Sequence, residues 1–320
     1  MRSRTITAGL AAALLALAGC GGAPSTAEDA PTREVDSDHK DAPVKVPKDP
    51  KRVVTLGWAT GPLLEIEGSP IVGAADSETR DYTPENRKRF EKLPKVGERT
   101  EISVEQVAEL KPDLILSGIP AAAQMDYGQL EEIAPVVVSA PTAPADWKKT
   151  TERVWDAAGV TEDGEQLVTA YDKRAEEVGE AVADSPAADW TFAAASEGKE
   201  ARLRKGDWML EFQDSWSTTV LGDAGLEFLP REQGPEVDFQ TGLSFEELDR
   251  LDEVDAVIMP AGPDGKATPG SRKLMDQGPW KETEPAQADR VYPLVWSQAA
   301  SYRTGILLFD EFDEQVLGKL

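Results

Sequence analysis

The sequence predicts an α/β protein of two lobes, each a mainly parallel sheet flanked by helices, with one long helix joining them. Short β-branched runs alternate with helical patterns between residues 52 and 140, and the same alternation resumes at residue 190. Strand–helix–strand alternation of this kind is typical of a parallel sheet that helices cover. Between these regions, over residues 163–183, apolar residues recur at helical spacing and charged residues fill the other face, which predicts the linking helix.

The individual elements follow from local patterns. A strand is predicted where a short apolar run is closed by glycine or a turn, as in RVVTLG at 52–57. The strands predicted in this way are 52–57, 70–75, 113–118, 135–140, 190–196, 201–204, 208–212, 254–262 and 289–295. The helices predicted from apolar spacing and from start and stop signals are 60–66, 103–110, 125–133, 146–158, 163–183, 215–225, 244–251 and 301–320.

The N-terminus has the pattern of an export signal. Arg2 and Arg4 precede an apolar run that ends in LAGC at 17–20, and this run is too short to span a bilayer comfortably. The ending resembles a bacterial lipobox, which implies cleavage before Cys20 and lipidation of its sulfur. Residues 21–44 are dominated by small residues, proline and acids, and they predict a flexible tether. An ordinary secreted protein with a stray cysteine is the alternative.

The charge balance and the single histidine exclude several classes of function. The formal net charge is −25, and it becomes −27 without the two arginines of residues 1–19, so phosphates would repel the chain and nucleic-acid binding is not expected. The one histidine, His39, lies in the early polar part, where a solvated loop or edge-strand position is expected. Serine and cysteine mechanisms need a positioned histidine, and zinc sites depend on His and Cys. No Gly-x-Ser-x-Gly elbow follows a strand either, so we predict no catalytic residue, no enzyme and no bare metal site.

One element of the sequence occurs twice. ISVEQVAELKPDLILSG at 102–118 and LSFEELDRLDEVDAVIMPAG at 243–262 each have Ser, an apolar residue and Glu, then a short helix and a buried strand. Each serine opens a Ser-x-x-Gln/Glu capping box, which predicts a helix start at both places. Glu105 and Glu246 fall at the second helical position, where a carboxylate favours the positive helix end. That role alone accounts for them, but one exposed carboxylate on each lobe also suits docking to a roughly two-fold symmetric partner.

These two segments, with VPKDPKRVVTLG at 46–57 and DRVYPL at 289–294, resemble the class III substrate-binding proteins of ABC importers, which capture ferric siderophores, haem or vitamin B12. The matching segments are spread over nearly the whole mature chain in the family's order. The resemblance implies a ligand cleft between the lobes, and it implies that Glu105 and Glu246 meet arginines of the permease. The expected divisions are a signal peptide at 1–19, a flexible tether at 20–44, an N-terminal lobe at 45–160, an interlobe helix at 161–185 and a C-terminal lobe at 186–320.

The resemblance and the residue types suggest which side chains contact the ligand. The segment around Arg99 resembles ferric-hydroxamate binders, in which the matching arginine contacts the iron-chelating oxygens; a surface pair with Glu98 or Glu101 is the alternative. Trp296 follows the RVYPL strand, where related siderophore binders place a pocket aromatic. Trp58 follows the first strand at its carboxyl end, where open α/β sheets bind ligands. The further candidates are Trp208, Trp216, Tyr127, Arg202, Arg204, Tyr302 and Arg303.

The function predicted on these grounds is that of a monomeric, lipid-anchored protein outside the bacterial cytoplasmic membrane that captures an iron(III) siderophore and delivers it to an ABC permease. A hydroxamate-type siderophore is favoured. Because the siderophore fills the coordination sphere of the iron, the protein needs no metal ligand and no cofactor of its own. Haem and vitamin B12 stay open: haem would usually need a His or Tyr axial ligand, and vitamin B12 would not need Arg99. A lipid-anchored cell-surface protein without a small ligand is the remote alternative.

Overall fold

The computed structural model describes residues 31–76, 79, 82–98, 101–120, 123–197, 206–231 and 239–320. Its strands are β1 Thr32–Val35, β2 Val44–Pro47, β3 Val53–Gly57, β4 Ile71–Ala74, β5 Leu114–Gly118, β6 Val136–Val138, β7 Thr191–Ser196, β8 Trp208–Glu211, β9 Glu227–Phe228, β10 Gln240–Leu243, β11 Ala256–Pro260 and β12 Val291–Leu294. Its α-helices are α1 Thr60–Glu65, α2 Pro84–Lys92, α3 Val104–Glu109, α4 Gly128–Glu131, α5 Trp147–Ala158, α6 Thr161–Ala183, α7 Thr219–Asp223, α8 Pro269–Met275, α9 Glu284–Gln287 and α10 Tyr302–Gln315. Turns of 3-10 helix lie at Pro144–Asp146, Pro186–Asp189, Phe245–Glu253, Pro279–Glu282 and Leu317–Lys319.

The first lobe is built on a four-stranded parallel sheet in the order β4-β3-β5-β6. Every residue of β5 and β6 is buried, as expected of parallel strands covered on both faces. Alternate residues face different cores: Leu114 and Leu116 join a cluster with residues of α1 and α5, whereas Ile115 joins one with residues of α3 and α4. The β-branched, apolar runs of the sequence thus form the strands that they predict.

The second lobe is built on a six-stranded mixed sheet in the order β10-β8-β7-β11-β12, with β9 also paired to β7. Strands β7, β9, β11 and β12 run parallel to one another, whereas β8 is antiparallel to both of its neighbours, β7 and β10. Strand β10 is not predicted by the sequence, because its residues, QTGL, lack an apolar β-branched run. The predicted fold class is confirmed: the chain has two α/β lobes with mainly parallel sheets.

The 23-residue helix α6 joins the two lobes, and at 1.5 Å per residue it is about 35 Å long. The last helix, α10, packs along it. Arg174 of α6 donates hydrogen bonds to Asp310 (Nε to Oδ1, 2.7 Å) and to Asp313 (Nη2 to Oδ2, 2.8 Å). Gly305 permits the close approach, because a Cβ there would lie 2.4 Å from Cε2 of Tyr171. The linking helix is therefore braced along its side by the end of the chain.

The two lobes are tied together where α1 of the first lobe meets the beginning of α10. The buried Glu65 carboxylate accepts hydrogen bonds at Oε1 from the Ser301 hydroxyl (2.6 Å) and from the Arg303 amide (3.0 Å). Its backbone carbonyl accepts two more from the Arg303 guanidinium, at 3.1 and 3.0 Å. Among the described residues, nothing hydrogen-bonds to Oε2 of Glu65. Burial raises the pKa of Glu65 to about 7, although the hydrogen bonds from Ser301 and Arg303 oppose the shift.

Aromatic side chains fill the core around this contact. Trp155 stacks on Tyr302 with ring centroids 5.3 Å apart, and Trp147 meets the same ring edge-on at 4.9 Å. The Tyr302 hydroxyl donates to Glu152 (3.0 Å), and the Trp155 indole N–H donates to the Pro62 carbonyl (2.9 Å). One apolar cluster includes residues from both sheets and from this junction. The two lobes therefore share a continuous core.

The segment before the first sheet is more ordered than the sequence predicts. The flexible tether expected over residues 20–44 is wrong for its second half, because β1 and β2 pair there as an antiparallel ribbon. His39, expected to be solvated, has a side chain only 15% exposed. Its Nε2 lies 2.8 Å from Oε1 of Glu131, and its Nδ1 lies 2.7 Å from Oγ of Ser37. These polar partners hold the imidazole against the first lobe.

The buried Glu65 should make the stability of the protein depend on pH. A carboxyl group whose pKa rises on folding, here from 4.5 to about 7, favours the folded state while it is protonated, and this contribution is lost as the pH rises through that range. Glu65→Gln keeps an acceptor for Ser301 and Arg303 but cannot ionise. We expect the free energy of unfolding of the wild type, relative to this variant, to fall by roughly 2 to 3 kcal/mol between about pH 5 and pH 8. Urea unfolding at each pH measures it, and a constant difference would contradict it.

Candidate functional site

Two tryptophans from different lobes stack on each other. Trp58 follows β3 in the first lobe, and Trp216 lies in the turn that follows β8 in the second lobe. Their ring centroids are 5.1 Å apart and their planes differ by 9°. Trp58 is 40% exposed, which is high for so large an apolar side chain. The structure thus brings two of the predicted ligand contacts together and leaves aromatic surface open to solvent where the lobes meet.

The backbone around Trp58 is tightly constrained. Gly57 has φ of +59°, a left-handed conformation that favours glycine. Gly118, at the end of β5, lies against the same turn, and a Cβ on it would be 2.6 Å from Cβ of Trp58. The hydroxyls of Thr55 and Thr60, 2.9 Å apart, tie the end of β3 to the start of α1. Trp58 is therefore fixed at the carboxyl edge of the parallel sheet, which is the edge where such sheets bind ligands.

Trp296 is held at the corresponding end of β12. Its side chain is partly buried and packs against the core that the two lobes share. Glu311 of α10 fixes its backbone, because the amides of Val295 and Trp296 donate to the two carboxylate oxygens at 2.7 and 3.0 Å. Burial raises the pKa of Glu311, and these two hydrogen bonds oppose the shift. A carboxylate of the terminal helix thus sets the position of a predicted ligand contact.

Four other candidates are engaged inside the protein. Trp208 is fully buried in the second lobe, and its indole N–H donates to the Ser244 carbonyl at 2.8 Å. Tyr127 is 9% exposed, and its hydroxyl hydrogen-bonds to a serine of β5. Tyr302 and Arg303 belong to the junction between α1 and α10. These contacts give all four a structural role, and their part in ligand contact stays a prediction.

Four further predicted residues lie outside the described residues, and they are Cys20, Arg99, Arg202 and Arg204. The described neighbours on either side of residues 99 and 100 are joined to each other. The amide of Glu98 donates to the carbonyl of Glu101 at 3.1 Å, and the reverse bond is 3.3 Å long. Residues 98 and 101 are therefore held close together just before α3.

Both copies of the duplicated element begin a helix at the predicted serine, and both of its glutamates are exposed. The Ser103 hydroxyl accepts a hydrogen bond from an amide of α3 at 3.3 Å and caps this helix. In the second lobe the amide and the hydroxyl of Ser244 both donate to Oε2 of Glu247 at 2.9 Å, which lowers the pKa of Glu247. The segment after Ser244 is 3-10 helix with a kink at Glu247 rather than the regular helix expected. Glu105 and Glu246 each occupy the second helical position.

Sequence reasoning missed three acidic residues that organise this region, Glu65, Glu211 and Glu311. All three are at least partly buried. Glu65 and Glu211 each lie at the end of or inside an apolar run, as in WMLEF, and that is the one signal by which they could have been found, because a buried charge has to be compensated by hydrogen bonds. Glu311 stands among other acids, in FDEFDE, and the sequence gives no such signal for it.

A polar hollow of about 290 Å³ lies where the lobes meet. Lys148 of the first lobe and Asp223 of the second form an ion pair there, with Nζ 2.6 Å from Oδ2. The Tyr171 hydroxyl donates to the same carboxylate, and burial together with the charge of Asp223 raises the pKa of Tyr171. Gln213 and Asp214, from the turn that carries Trp216, also line the hollow. Lobe contacts are thus polar on one side of the junction and aromatic on another.

The described residues contain neither a metal-binding cluster nor a membrane-spanning helix. No group of three or more His, Cys, Asp or Glu side chains in the described ranges is arranged to hold a metal ion. No helix within the same ranges has the length and apolar character needed to cross a membrane.

The chain matches the family model described as "Periplasmic binding protein" over residues 53–295, which is most of its length. It belongs to the periplasmic binding protein family. Proteins of this family bind solutes for transport and are not enzymes, so the predicted resemblance and the predicted absence of enzymatic activity are confirmed.

Several individual relatives of this periplasmic binding protein are named as binders of siderophores or iron chelates. The solved siderophore periplasmic binding protein from the fuscachelin gene cluster of Thermobifida fusca is 28% identical, with a TM-score of 0.71, and the match covers 86% of this chain and 99% of that one. "Probable siderophore-binding lipoprotein YfiY" of Bacillus subtilis is 28% identical over 187 residues, covering 57% of this chain and 53% of the relative. "Iron(3+)-hydroxamate-binding protein YxeB" of Bacillus subtilis is 30% identical over 149 residues, covering 47% and 43%. The chain thus spans about half the length of these two curated relatives.

Truncation should separate a core tryptophan from an exposed one. Trp208→Ala removes a fully buried ring, and we expect it to lower the free energy of unfolding by about 3 to 5 kcal/mol. Trp216→Ala removes a partly buried ring that stacks on an exposed partner, and we expect a loss of about 1 kcal/mol. Urea unfolding followed by far-ultraviolet circular dichroism measures both. Equal losses would show that Trp216 is a core residue as well.

Proposed function

We propose that this periplasmic binding protein captures a ferric siderophore outside the cytoplasmic membrane and delivers it to the permease of an ABC importer. The observation that carries the proposal is the Trp58–Trp216 pair, which offers aromatic surface from both lobes. A cleft for a bulky chelate needs aromatic walls with a few fixed polar groups. The Thermobifida fusca neighbour, described as a siderophore periplasmic binding protein, supports the same ligand class.

A hydroxamate-type chelate is the favoured ligand, and the name of YxeB as an iron(3+)-hydroxamate-binding protein supports it. The iron enters as a chelate whose coordination sphere is already filled, so it is cargo rather than a resident metal. Haem is disfavoured because His39 is engaged by Ser37 and Glu131, and because the hydroxyls of Tyr171 and Tyr302 bind carboxylates. Haem and vitamin B12 are competing outcomes of the titration below.

The proposed binding mode combines aromatic contact with charge. Trp58, Trp216 and Trp296 enclose the chelate, and Arg99 donates hydrogen bonds to its iron-bound oxygens, since a guanidinium stays charged and donates in a planar fork. Further positive charge for an anionic chelate would come from Arg202 and Arg204. The other four candidates lie inside the protein and hold the walls of the proposed site in place. They are Trp208, Tyr127, Tyr302 and Arg303.

The remaining parts of the proposal concern delivery. Lipid on Cys20 holds the protein at the outer face of the membrane, because two acyl chains give stable anchoring. Anchoring raises the effective concentration of the protein at a permease in the same membrane. The loaded monomer then docks through Glu105 and Glu246, one exposed carboxylate on each lobe, against arginines of the permease.

Ligand binding is tested by titration of the purified protein. We expect ferric desferrioxamine B to quench the tryptophan fluorescence saturably, because the iron chelate comes to lie against indole rings. Metal-free desferrioxamine B is the control that shows whether the quenching requires bound iron. Trp58→Ala should weaken binding of the ferric chelate by about tenfold, equivalent to about 1.4 kcal/mol. Saturable binding of haem or vitamin B12 in place of a panel of ferric siderophores would contradict the proposal.

Docking is tested separately from binding. The double variant Glu105→Ala with Glu246→Ala should bind the chelate with unchanged affinity but fail to support iron uptake by cells, because the contact with the permease is lost. The matched control is Glu109→Ala with Asp249→Ala, which removes exposed acids from the same two segments. Normal uptake by the first variant, or equal loss in the control, would overturn the docking role.

A further inference from the structure

The turn that carries Trp216 is organised by a buried carboxylate. Glu211 ends β8 and is only 3% exposed. Its Oε2 accepts hydrogen bonds from the hydroxyl of Ser215 (2.7 Å) and from the amide of Ser217 (3.1 Å), and its Oε1 accepts one from the hydroxyl of Ser217 (2.9 Å). One carboxylate therefore holds the residues directly before and after Trp216.

Other bonds complete the same turn. Oγ1 of Thr218 accepts from the amide of Ser215 (2.9 Å) and donates to the carbonyl of Phe212 (2.8 Å). Asp214 has φ of +61°, which reverses the chain ahead of the tryptophan. Ser215 and Ser217 are buried, whereas Trp216 between them is only partly buried. The turn thus directs its serines inward and its indole ring outward, onto Trp58.

The residue type at position 211 needs an explanation that core packing does not give. Burial of a carboxylate is costly unless hydrogen bonds compensate for it, and an apolar side chain would serve the end of an apolar strand at lower cost. One carboxyl group can accept several hydrogen bonds at once. Glu211 therefore suits the fixing of a turn in which donors from both sides of Trp216 reach the same side chain.

We infer that Glu211 is the positioning residue of the aromatic pair: without touching the ligand, it fixes Trp216 parallel to Trp58 and so sets the affinity of the cleft. The effect on affinity rests on the proposed function. The fixed geometry of the two rings is a property of the ligand-free protein, and it can be measured by itself.

The first experiment uses the ligand-free protein. Two stacked indoles couple their electronic transitions, so we expect an exciton couplet in the far-ultraviolet circular dichroism that disappears in Trp58→Ala and in Trp216→Ala. Glu211→Ala should lose the same couplet, and Glu211→Gln should keep it, since an amide can meet the contacts with Ser215 and Ser217 once the Ser217 hydroxyl rotates. The matched control is Glu311→Ala, which removes a carboxylate that holds Trp296 and should leave the couplet intact.

If Glu211→Ala does not fold, a second variant can remove the same hydrogen bonds from the other side. The double variant Ser215→Ala with Ser217→Ala removes both hydroxyl groups of this turn that donate to Glu211 and should weaken the couplet as well. A full couplet in folded Glu211→Ala, or in this double variant, would overturn the inference. So would equal loss in Glu311→Ala, because the effect would then be general.

The second experiment measures ferric desferrioxamine B affinity in a double-mutant cycle. Glu211→Ala should weaken binding on the order of tenfold in the wild-type background and not at all in the Trp216→Ala background. The loss should persist in full in the Trp296→Ala background. Equal losses in all three backgrounds would show that Glu211 acts on stability alone and would overturn its positioning role. Failure of every ferric siderophore to bind would defeat the proposed function, and the couplet would still decide the role of Glu211.

Discussion

The contact between Glu65 and the beginning of α10 is the constraint on which the arrangement of the two lobes depends. It joins a short helix of the first lobe to the helix that braces α6, and aromatic rings pack closely around it. Close-packed cores resist deformation, so a junction of this kind favours small adjustments of the lobes over wide opening. Within such a frame Trp58 and Trp216 contact each other from separate lobes, so the walls of the proposed ligand site are already nearly in place.

Most of the fold could be predicted because its strands are short apolar runs and its helices carry start and stop signals. The apolar runs VVTLG, LILSG and AVIMP predict the parallel strands β3, β5 and β11. The caps at Ser103 and Ser244 form as their spacing predicts. Strand β10 could not be predicted in the same way, because its polar residues acquire their conformation only by pairing with β8. The ribbon of β1 and β2 was missed for a similar reason: neither four-residue segment has a strong strand pattern, and the two become ordered by pairing with each other.

The candidate site was predictable only in part. A place directly after a strand pointed to Trp58 and Trp296, but Trp216 was a candidate by residue type alone. Nothing in the sequence distinguishes Trp216 from Trp208, which the structure buries completely. Burial is decided by tertiary packing, and neither the exposure of an indole nor its partner is encoded locally. The acidic residues that hold this region together were missed for a related reason, since the donors that satisfy each of them can be seen only in the folded chain.

The position of α10 in the chain also bears on the order in which the protein assembles. The strands of the first sheet are complete at residue 138 and those of the second at residue 294, whereas the junction needs Ser301, Tyr302 and Arg303. Each sheet can therefore form before the residues that fix one lobe against the other have emerged, and the most non-local contacts form last. A chain halted just before α10 would hold two formed sheets without the buried junction that braces them, so the docking of the final helix completes the fixed relation between the lobes.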